Sequence, residues 1–225
     1  MTMNRTQLIA QVKLNIGNRT DLDSRIDEWL DWSVEDIASV RNWRSMKVWD
    51  TDTLKTREGG MHYSLPPLVK DFLRVKYIDG SMTRTLRYID PDHYHRLYPH
   101  PETTGNGFPA IYTWEGDYLE IYPLASVSNK PIHMFIAKWP PPFDDDANLC
   151  PFDRLDKVVV ARASYYAHQA LDNLIRKREF EIEFLQGVKI AGRIDGNPTD
   201  WTPKYASIRM SGYRTRDYLS VPPEG

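Results

Sequence analysis

Residues 24–54 read SRIDEWLDWSVEDIASVRNWRSMKVWDTDTL, and two different periodicities meet within this stretch. In its first part apolar side chains recur every three or four residues, which is typical of a helix with one covered face. These apolar residues are Ile26, Trp29, Leu30, Ile37 and Val40. Val48 to Leu54 instead has the composition of a strand. The stretch therefore predicts an amphipathic helix, starting near Ser24, followed by the first strand of a β-rich region.

Another helix is predicted just before this stretch, over residues 4–16. Its apolar side chains lie close to helical spacing, and Gly17-Asn18 is a typical helix end. The apolar residues are Leu8, Ile9, Val12 and Ile16. The chain thus begins with a pair of helices whose apolar stripes need a partner surface.

The region after the helix pair contains several short strands separated by turns. Turns are predicted at Glu58-Gly59-Gly60, Asp79-Gly80 and Glu115-Gly116-Asp117. Ile132 to Trp139 is the last predicted strand, and Pro140-Pro141-Pro142 ends the region. Such a series of short strands is typical of an antiparallel sandwich or a barrel-like unit.

One long helix is predicted from Asp153 to about Ile190, and we expect it to pack on the helix pair. The apolar residues of its broad face are Val158, Ala161, Tyr165, Leu171, Leu174, Ile175, Phe184 and Val188. The sequence therefore predicts an α+β chain. Residues 1–46 and 150–192 form a helical core domain of two N-terminal helices and one long C-terminal helix. Residues 47–149 form an inserted antiparallel β-rich domain.

The last segment, residues 193–225, is predicted to be an extended C-terminal arm. It has no periodicity, yet it keeps aromatic residues that disordered tails lack. Termini become ordered when something holds them, so we expect the arm to pack on another protein. Its candidate anchors are Trp201, Tyr205, Tyr213 and Tyr218. The alternative is that it wraps back over its own domain.

Bulk composition excludes several classes of protein. The 225 residues carry a formal net charge of −2, whereas a dedicated nucleic-acid-binding module has a strong basic excess. A single cysteine, Cys150, allows no disulfide within the chain, which fits a reducing cytosol. The polar N-terminus does not resemble a signal peptide, and the apolar runs are too short to span a bilayer. We therefore expect a soluble chain.

No specific catalytic or ligand-binding motif is found. His93, His95 and His100 are the best metal candidates, but a spacing of two places His93 and His95 on different sides of a helix. Residues 144–146 are Asp-Asp-Asp, without the alternating oxygens and glycine of a calcium loop. We expect no enzyme activity, no metal and no cofactor. With seven Trp and thirteen Tyr, the chain is instead rich in the residues that anchor protein interfaces.

The order of several short motifs resembles one known family. The motifs run from the helix pair through the β-rich region to the last helix. They are Asp21 to Leu30, Leu65-Pro66, Leu86 to Pro91, Gly107 to Tyr112, Leu119 to Pro123, and Val158 to Leu171. Over about Leu8 to Ile190 the chain resembles the head-to-tail adaptors of short-tailed bacteriophages, also called tail tubular or gatekeeper subunits. The segment after Gly192 does not align with them.

This resemblance implies a structural virion protein located in the neck and assembled in the host cytoplasm. It implies a homo-oligomeric ring, dodecameric in such connectors, which attaches beneath the portal protein. The ring extends the channel for double-stranded DNA and is a platform for tail nozzle and tail fibre proteins. The C-terminal segment of relatives docks on the portal, which extends here to the four aromatic anchors of the arm. Because a ring multiplies each charge in its lumen, we expect an acidic lumen, with Asp144, Asp145 and Asp146 as candidates.

Other functions remain open on the sequence alone. A carbohydrate or host-surface binding module could use Trp49, Trp114 and Tyr122 if they are exposed on the β-rich unit. Another tail-completion protein would differ mainly in its neighbours. An enzyme with dispersed catalytic residues is the third alternative, although no nucleophile–base pair or carboxylate pair is evident.

Overall fold

The computed structural model describes residues 2–80, 82–103, 105–143, 145 and 147–195. Over these residues the chain forms five α-helices and a seven-stranded sheet, which confirms the predicted α+β class. Four of the helices lie at the two ends of the described chain, and the strands and one short helix lie between them. None of the helices in these ranges has the length and apolar character needed to cross a membrane.

The two predicted N-terminal helices are present. Helix α1, Arg5–Asn15, begins with a capping box, in which the Asn4 side chain accepts from the Gln7 N–H and the Gln7 side chain accepts from the Asn4 N–H. Helix α2 spans Asp23–Val40 and buries the predicted stripe, except that Val40 is 52% exposed. The stripe therefore ends one turn earlier than its spacing predicts.

The strands form one curled sheet with the order β1-β7-β3-β4-β5-β6-β2. The strands are β1 Lys47–Lys55, β2 His62–Ser64, β3 Val69–Asp79, β4 Met82–Tyr88, β5 Ile111–Glu115, β6 Tyr118–Tyr122 and β7 Pro131–Lys138. The predicted hairpins at Asp79-Gly80 and Glu115-Gly116-Asp117 correspond to β3–β4 and β5–β6.

The prediction of a purely antiparallel β-rich unit is wrong at one place. Strands β4 and β5 pair in parallel over Arg87↔Ile111 and Tyr88↔Tyr112. Helix α3, Pro91–Leu97, and the loop after it lie between these strands and return the chain to the same end of the sheet. Parallel neighbours need such a crossover, whereas a tight turn makes an antiparallel pair. The sheet is therefore mixed.

The prediction of one long C-terminal helix is also wrong. The chain forms helix α4, Asp156–Ala170, and helix α5, Leu174–Ile194, which pack against each other. The break is local, because Asp172 has a positive φ of 53° and the Asn173 side chain accepts from the Arg176 N–H as an N-cap. As a result, Leu174 and Ile175 of the predicted covered face are 69% and 76% exposed.

The buried apolar residues form one large cluster among the helices and another within the sheet. The helical cluster includes residues of α1, α2 and α4 and a single buried residue of α5, Phe184. The sheet cluster contains Phe72, Tyr112 and Ile136. The predicted boundaries, with residues 1–46 and 150–192 around 47–149, remain a prediction.

A small set of polar contacts joins α2 to the sheet. The Lys70 Nζ on β3 donates to the carbonyl oxygens of Ala38 and Arg41, the latter at 3.2 Å. The Asn42 side-chain amide donates to the Asp71 carboxylate at 3.0 Å. The two Lys70 bonds satisfy carbonyl groups at the end of α2 that the helix itself leaves without partners.

Candidate interaction surfaces

The predicted metal candidates are not brought together. Helix α3 carries His93 and His95, and the His95 Nε2 lies 3.4 Å from the Glu115 Oε2 on β5. The His100 Nδ1 lies 3.3 Å from the Glu102 Oε1 in its own loop. Over the described ranges no group of three or more His, Cys, Asp or Glu side chains is placed to hold a metal ion.

Cys150 is a residue of the buried core. It is buried, and its N–H donates to the Met3 carbonyl oxygen at 2.9 Å. Burial raises the pKa of the Cys150 thiol to about 12, and the neighbouring Asp156 carboxylate acts in the same direction. A thiol with so high a pKa is not a nucleophile near neutral pH, since the thiolate is the reactive form.

A buried polar cluster that the sequence did not predict lies between α3 and the sheet. Glu120 on β6 pairs in register with His62 and with Thr113, and its Oε1 lies 3.0 Å from the His62 Nδ1. The Glu120 Oε2 and the Tyr94 and Thr113 hydroxyls have no hydrogen-bond partner among the described residues. Burial and then the nearby Glu120 carboxylate raise the pKa of Tyr94, which therefore stays neutral. No hydrogen bond joins these groups into a proton relay.

The aromatic residues considered for carbohydrate binding are not assembled into one platform. Trp49 is 44% exposed and stacks on Phe135 with ring centroids 5.0 Å apart. Trp114 is half-buried and packs against Phe72, while Tyr122 stacks on Tyr98 at 3.9 Å. Trp114 does line a groove of about 410 Å³ next to the β5–β6 turn, with Leu65, Leu68 and Tyr118.

Two exposed helix faces differ sharply in charge. The first, here the α5 face, consists of Ile175, Arg178, Ile182, Leu185 and Lys189, all exposed. The second, here the α2 face, consists of Glu28, Asp31, Trp32 and Glu35, also exposed. Helices α2 and α5 both pack on α4, and the residues of these two faces remain exposed, although Trp32 also touches α4 at Tyr166.

Trp32 of the α2 face is held in a defined position. Its ring meets the Tyr166 ring of α4 edge to face, with centroids 5.5 Å apart. The Tyr166 hydroxyl donates to the Asp36 carboxylate at 2.5 Å, and Arg162 also donates to it at 2.6 Å. Trp32 nevertheless remains 45% exposed. A large aromatic ring fixed at the surface is the kind of residue that anchors an interface.

Most residues of the predicted arm and acidic loop lie outside the described part of the chain. These are Trp201, Tyr205, Tyr213, Tyr218, Asp144 and Asp146. Asp145 is described and exposed, and its carboxylate accepts from the Ala147 N–H at 3.0 Å. The roles predicted for all seven residues remain predictions.

Comparison of the sequence with models of protein families assigns the chain to one family. The model of a family described as SU10 adaptor protein matches residues 3–210. The chain belongs to this phage adaptor family. The match covers both helical segments and the whole sheet, and it confirms the predicted resemblance to phage head-to-tail adaptors. No curated protein matches the chain at a significant level.

As a member of the SU10 adaptor family, the chain is a structural phage protein. Its functional residues are therefore to be sought at exposed surfaces rather than in a cleft. The α2 and α5 faces are the clearest such surfaces over the described residues, because each combines apolar side chains with charge of one sign.

Proposed function

We propose that this SU10 adaptor protein forms a dodecameric ring beneath the portal protein in the neck of the virion. The ring extends the channel through which double-stranded DNA passes, and its outer side binds tail nozzle or tail fibre proteins. Assembly takes place in the host cytoplasm. The family match over residues 3–210 is the observation that carries this proposal.

A purely structural role, without catalysis, metal or cofactor, is part of the proposal. The side chains that could carry chemistry lie in separate places, with His95 beside Glu115 and His100 beside Glu102. The thiol of Cys150 is buried. By contrast, apolar residues on α5 are exposed to water in the monomer, which is unfavourable. An assembly that buries them removes this unfavourable exposure.

The arm, residues 193–225, is proposed to dock on the portal. Helix α5 ends at Ile194, whose side chain is 66% exposed. The aromatic anchors proposed are Trp201, Tyr205, Tyr213 and Tyr218. Aromatic side chains lose little conformational entropy for the area that they bury, which suits a docking arm.

The lumen of the ring is proposed to be acidic, with Asp144, Asp145 and Asp146 facing the DNA. Cationic side chains release counterions from DNA and bind it strongly, and a ring would repeat each of them in every subunit. Carboxylates in the same position leave the DNA free to slide. The exposure of Asp145 supports this assignment.

Co-sedimentation with purified portal rings tests the position and the arm together. The full chain and a chain ending at Asp195 are compared, with circular dichroism to check that both retain their helices. We expect the full chain to sediment with the portal and the shortened chain to bind about tenfold more weakly or worse, since aromatic anchors dominate such interfaces. Equal binding by both chains contradicts the arm, and no binding by either contradicts the position beneath the portal.

Carbohydrate binding is the second candidate, and the groove beside Trp114 and Tyr118 is the observation in its favour. Sugar rings stack on aromatic side chains at such places. Binding of the full chain to a glycan array, lost in Trp114→Ala and kept in Trp49→Ala, would support this candidate over the adaptor ring.

A further inference from the structure

We infer that the α5 face of one subunit binds the α2 face of the next copy of this chain, so that the ring is closed by a head-to-tail helix contact. The inference rests on the proposed ring and adds the surfaces that build it.

The α5 face has the spacing of a helix-packing seam. Its residues follow each other at steps of three and four, beginning at Ile175 and ending at Lys189. At about 100° per residue all five lie within an arc of about 80°. Its apolar residues Ile175, Ile182 and Leu185 are 76%, 48% and 59% exposed. This regular seam is typical of a surface that another helix covers.

The seam on α5 is basic. Arg178 and Lys189 belong to it, and neither takes part in an ion pair within the described residues. The three glutamates of α5 all lie outside the arc of the face, at Glu179, Glu181 and Glu183. A partner for this face must therefore offer an apolar surface together with negative charge.

The α2 face offers both properties. Trp32 is its apolar residue and is held against Tyr166. Glu28 and Glu35 lie one turn before and one turn after Trp32, and no ion pair of the described residues includes them. Asp31 is already bound to Arg5 at 2.8 Å, which leaves the two glutamates as the partners for basic groups.

The charges of the two helices indicate which pairing between copies is favourable. Helix α2 holds six acidic residues and one basic residue, and helix α5 holds five basic and three acidic residues. A contact of α5 with α5, or of α2 with α2, would bring like charges together. A contact of α5 with α2 between copies is attractive, and a contact between two different surfaces is the type that generates a ring.

The other occupant to consider is the chain's own segment 196–225. It contains four basic and three acidic residues, so its net charge of +1 has the same sign as the α5 face. The α2 face of another copy is the better electrostatic match. One helix pair buries less than the roughly 1,000 Å² of a stable interface, so the free chain stays mainly monomeric and the contact forms where copies are concentrated.

Cysteine cross-linking between copies tests the contact. Two single variants of the full chain, Glu35→Cys and Ile182→Cys, are mixed under mild oxidation, and the buried Cys150 does not compete. We expect a dimer from the mixture at least about tenfold faster than from either variant alone, as two adjacent thiols react before distant ones. A mixture of Glu102→Cys with Ile182→Cys is the matched control and should give no such dimer.

Charge reversal then tests the pairing. Adding Glu28→Lys to the Glu35→Cys variant should slow cross-linking by about tenfold, and adding Arg178→Glu and Lys189→Glu to the Ile182→Cys variant should restore it. Absence of the mixed dimer, or reversal without effect, overturns the inference. Cross-linking that occurs only in chains ending at Asp195 also overturns it, because the segment 196–225 would then be the occupant of one face in the full chain.

The outcome separates this inference from the proposed function. If full-length Glu28→Lys/Glu35→Lys chains still form complete rings on the portal in electron micrographs, the ring stands and the α5–α2 contact is wrong. If the unaltered chain does not bind the portal, although its copies cross-link as expected, the position beneath the portal is wrong and the contact stands.

Discussion

Gly187 on α5 faces Val158 on α4 so closely that a Cβ added to the glycine would lie 2.7 Å from the valine Cγ2. Real Cβ atoms essentially never approach another atom so closely, so the two helices pack at this point only because the glycine has no side chain. This contact sets the spacing of the α4–α5 hairpin, and the hairpin in turn decides which residues of α5 are exposed.

Gly187→Ala should therefore destabilise the protein, although alanine is the better helix former. Overpacking costs about 1–3 kcal/mol, which exceeds the gain of at most about 1 kcal/mol in helix propensity. Urea unfolding followed by circular dichroism measures the difference. Gly192→Ala is the matched control on the same helix, since its added Cβ meets only the end of the flexible Arg41 side chain at 2.8 Å. If Gly187→Ala unfolds at the same urea concentration as the unaltered chain and keeps the α4–α5 hairpin, the two helices can move apart at this point without loss of stability.

The sequence indicated the fold class, both N-terminal helices and most hairpins. It did so because amphipathic spacing and turn residues act locally, as the buried stripe of α2 from Ile26 to Ile37 shows. The α4–α5 break was missed since apolar residues recur on both sides of it. The local signal was the pair Asp172-Asn173, which supplies a left-handed residue and an N-cap.

The candidate surfaces were harder to predict than the elements. Periodicity reports that a helix has an apolar side but not which side finds a partner, so Leu174 and Ile175 were expected to be covered and are exposed. The parallel β4–β5 pair and the buried Glu120 depend on contacts between distant segments. The faces on which exposed charges such as Glu28 and Lys189 lie can be assigned only when the orientation of each helix is known.

Two buried tyrosines should respond in opposite ways to the loss of their hydroxyl groups. The Tyr63 hydroxyl lies 3.1 Å from the Gly60 carbonyl oxygen, to which it donates, whereas the Tyr94 hydroxyl has no partner among the described residues. Tyr63→Phe should lower the free energy of unfolding by about 1 kcal/mol, the usual net worth of such a bond. Tyr94→Phe should be neutral or slightly stabilising. Each substitution serves as the control for the other in thermal unfolding, and a larger loss for Tyr94→Phe would reveal a partner of its hydroxyl.

The single thiol, that of Cys150, should not react with thiol reagents in the native protein. Burial raises the pKa of Cys150 to about 12, so the thiolate is scarce in the folded state even at mildly alkaline pH. We expect an aromatic disulfide reagent at about pH 8 to label no thiol in buffer and one thiol per chain in concentrated urea. The exposed cysteine of Glu35→Cys provides the positive control, with prompt labelling of one thiol in buffer. Rapid labelling of the unaltered chain in buffer would contradict the burial of Cys150.

His168 should make the helical unit sensitive to acid. Its ring stacks on Phe180 with centroids 5.3 Å apart, and neither ring nitrogen has a hydrogen-bond partner among the described residues. Burial lowers the pKa of His168 in the folded state. As the pH falls through the ordinary histidine pKa of about 6.5, the unfolded chain takes up a proton that the folded chain resists, so stability is present above this pH and is lost below it.

The test compares urea unfolding at about pH 7.5 and about pH 5 for the unaltered chain, His168→Leu and His100→Leu. His168→Leu should lose part of the fall in stability between these pH values, because leucine takes up no proton in either state. His100 is exposed beside Glu102, so His100→Leu should keep nearly the whole fall. If both substitutions leave the same pH dependence, the acid sensitivity originates in other groups and the ring of His168 is accessible to protons in the folded protein.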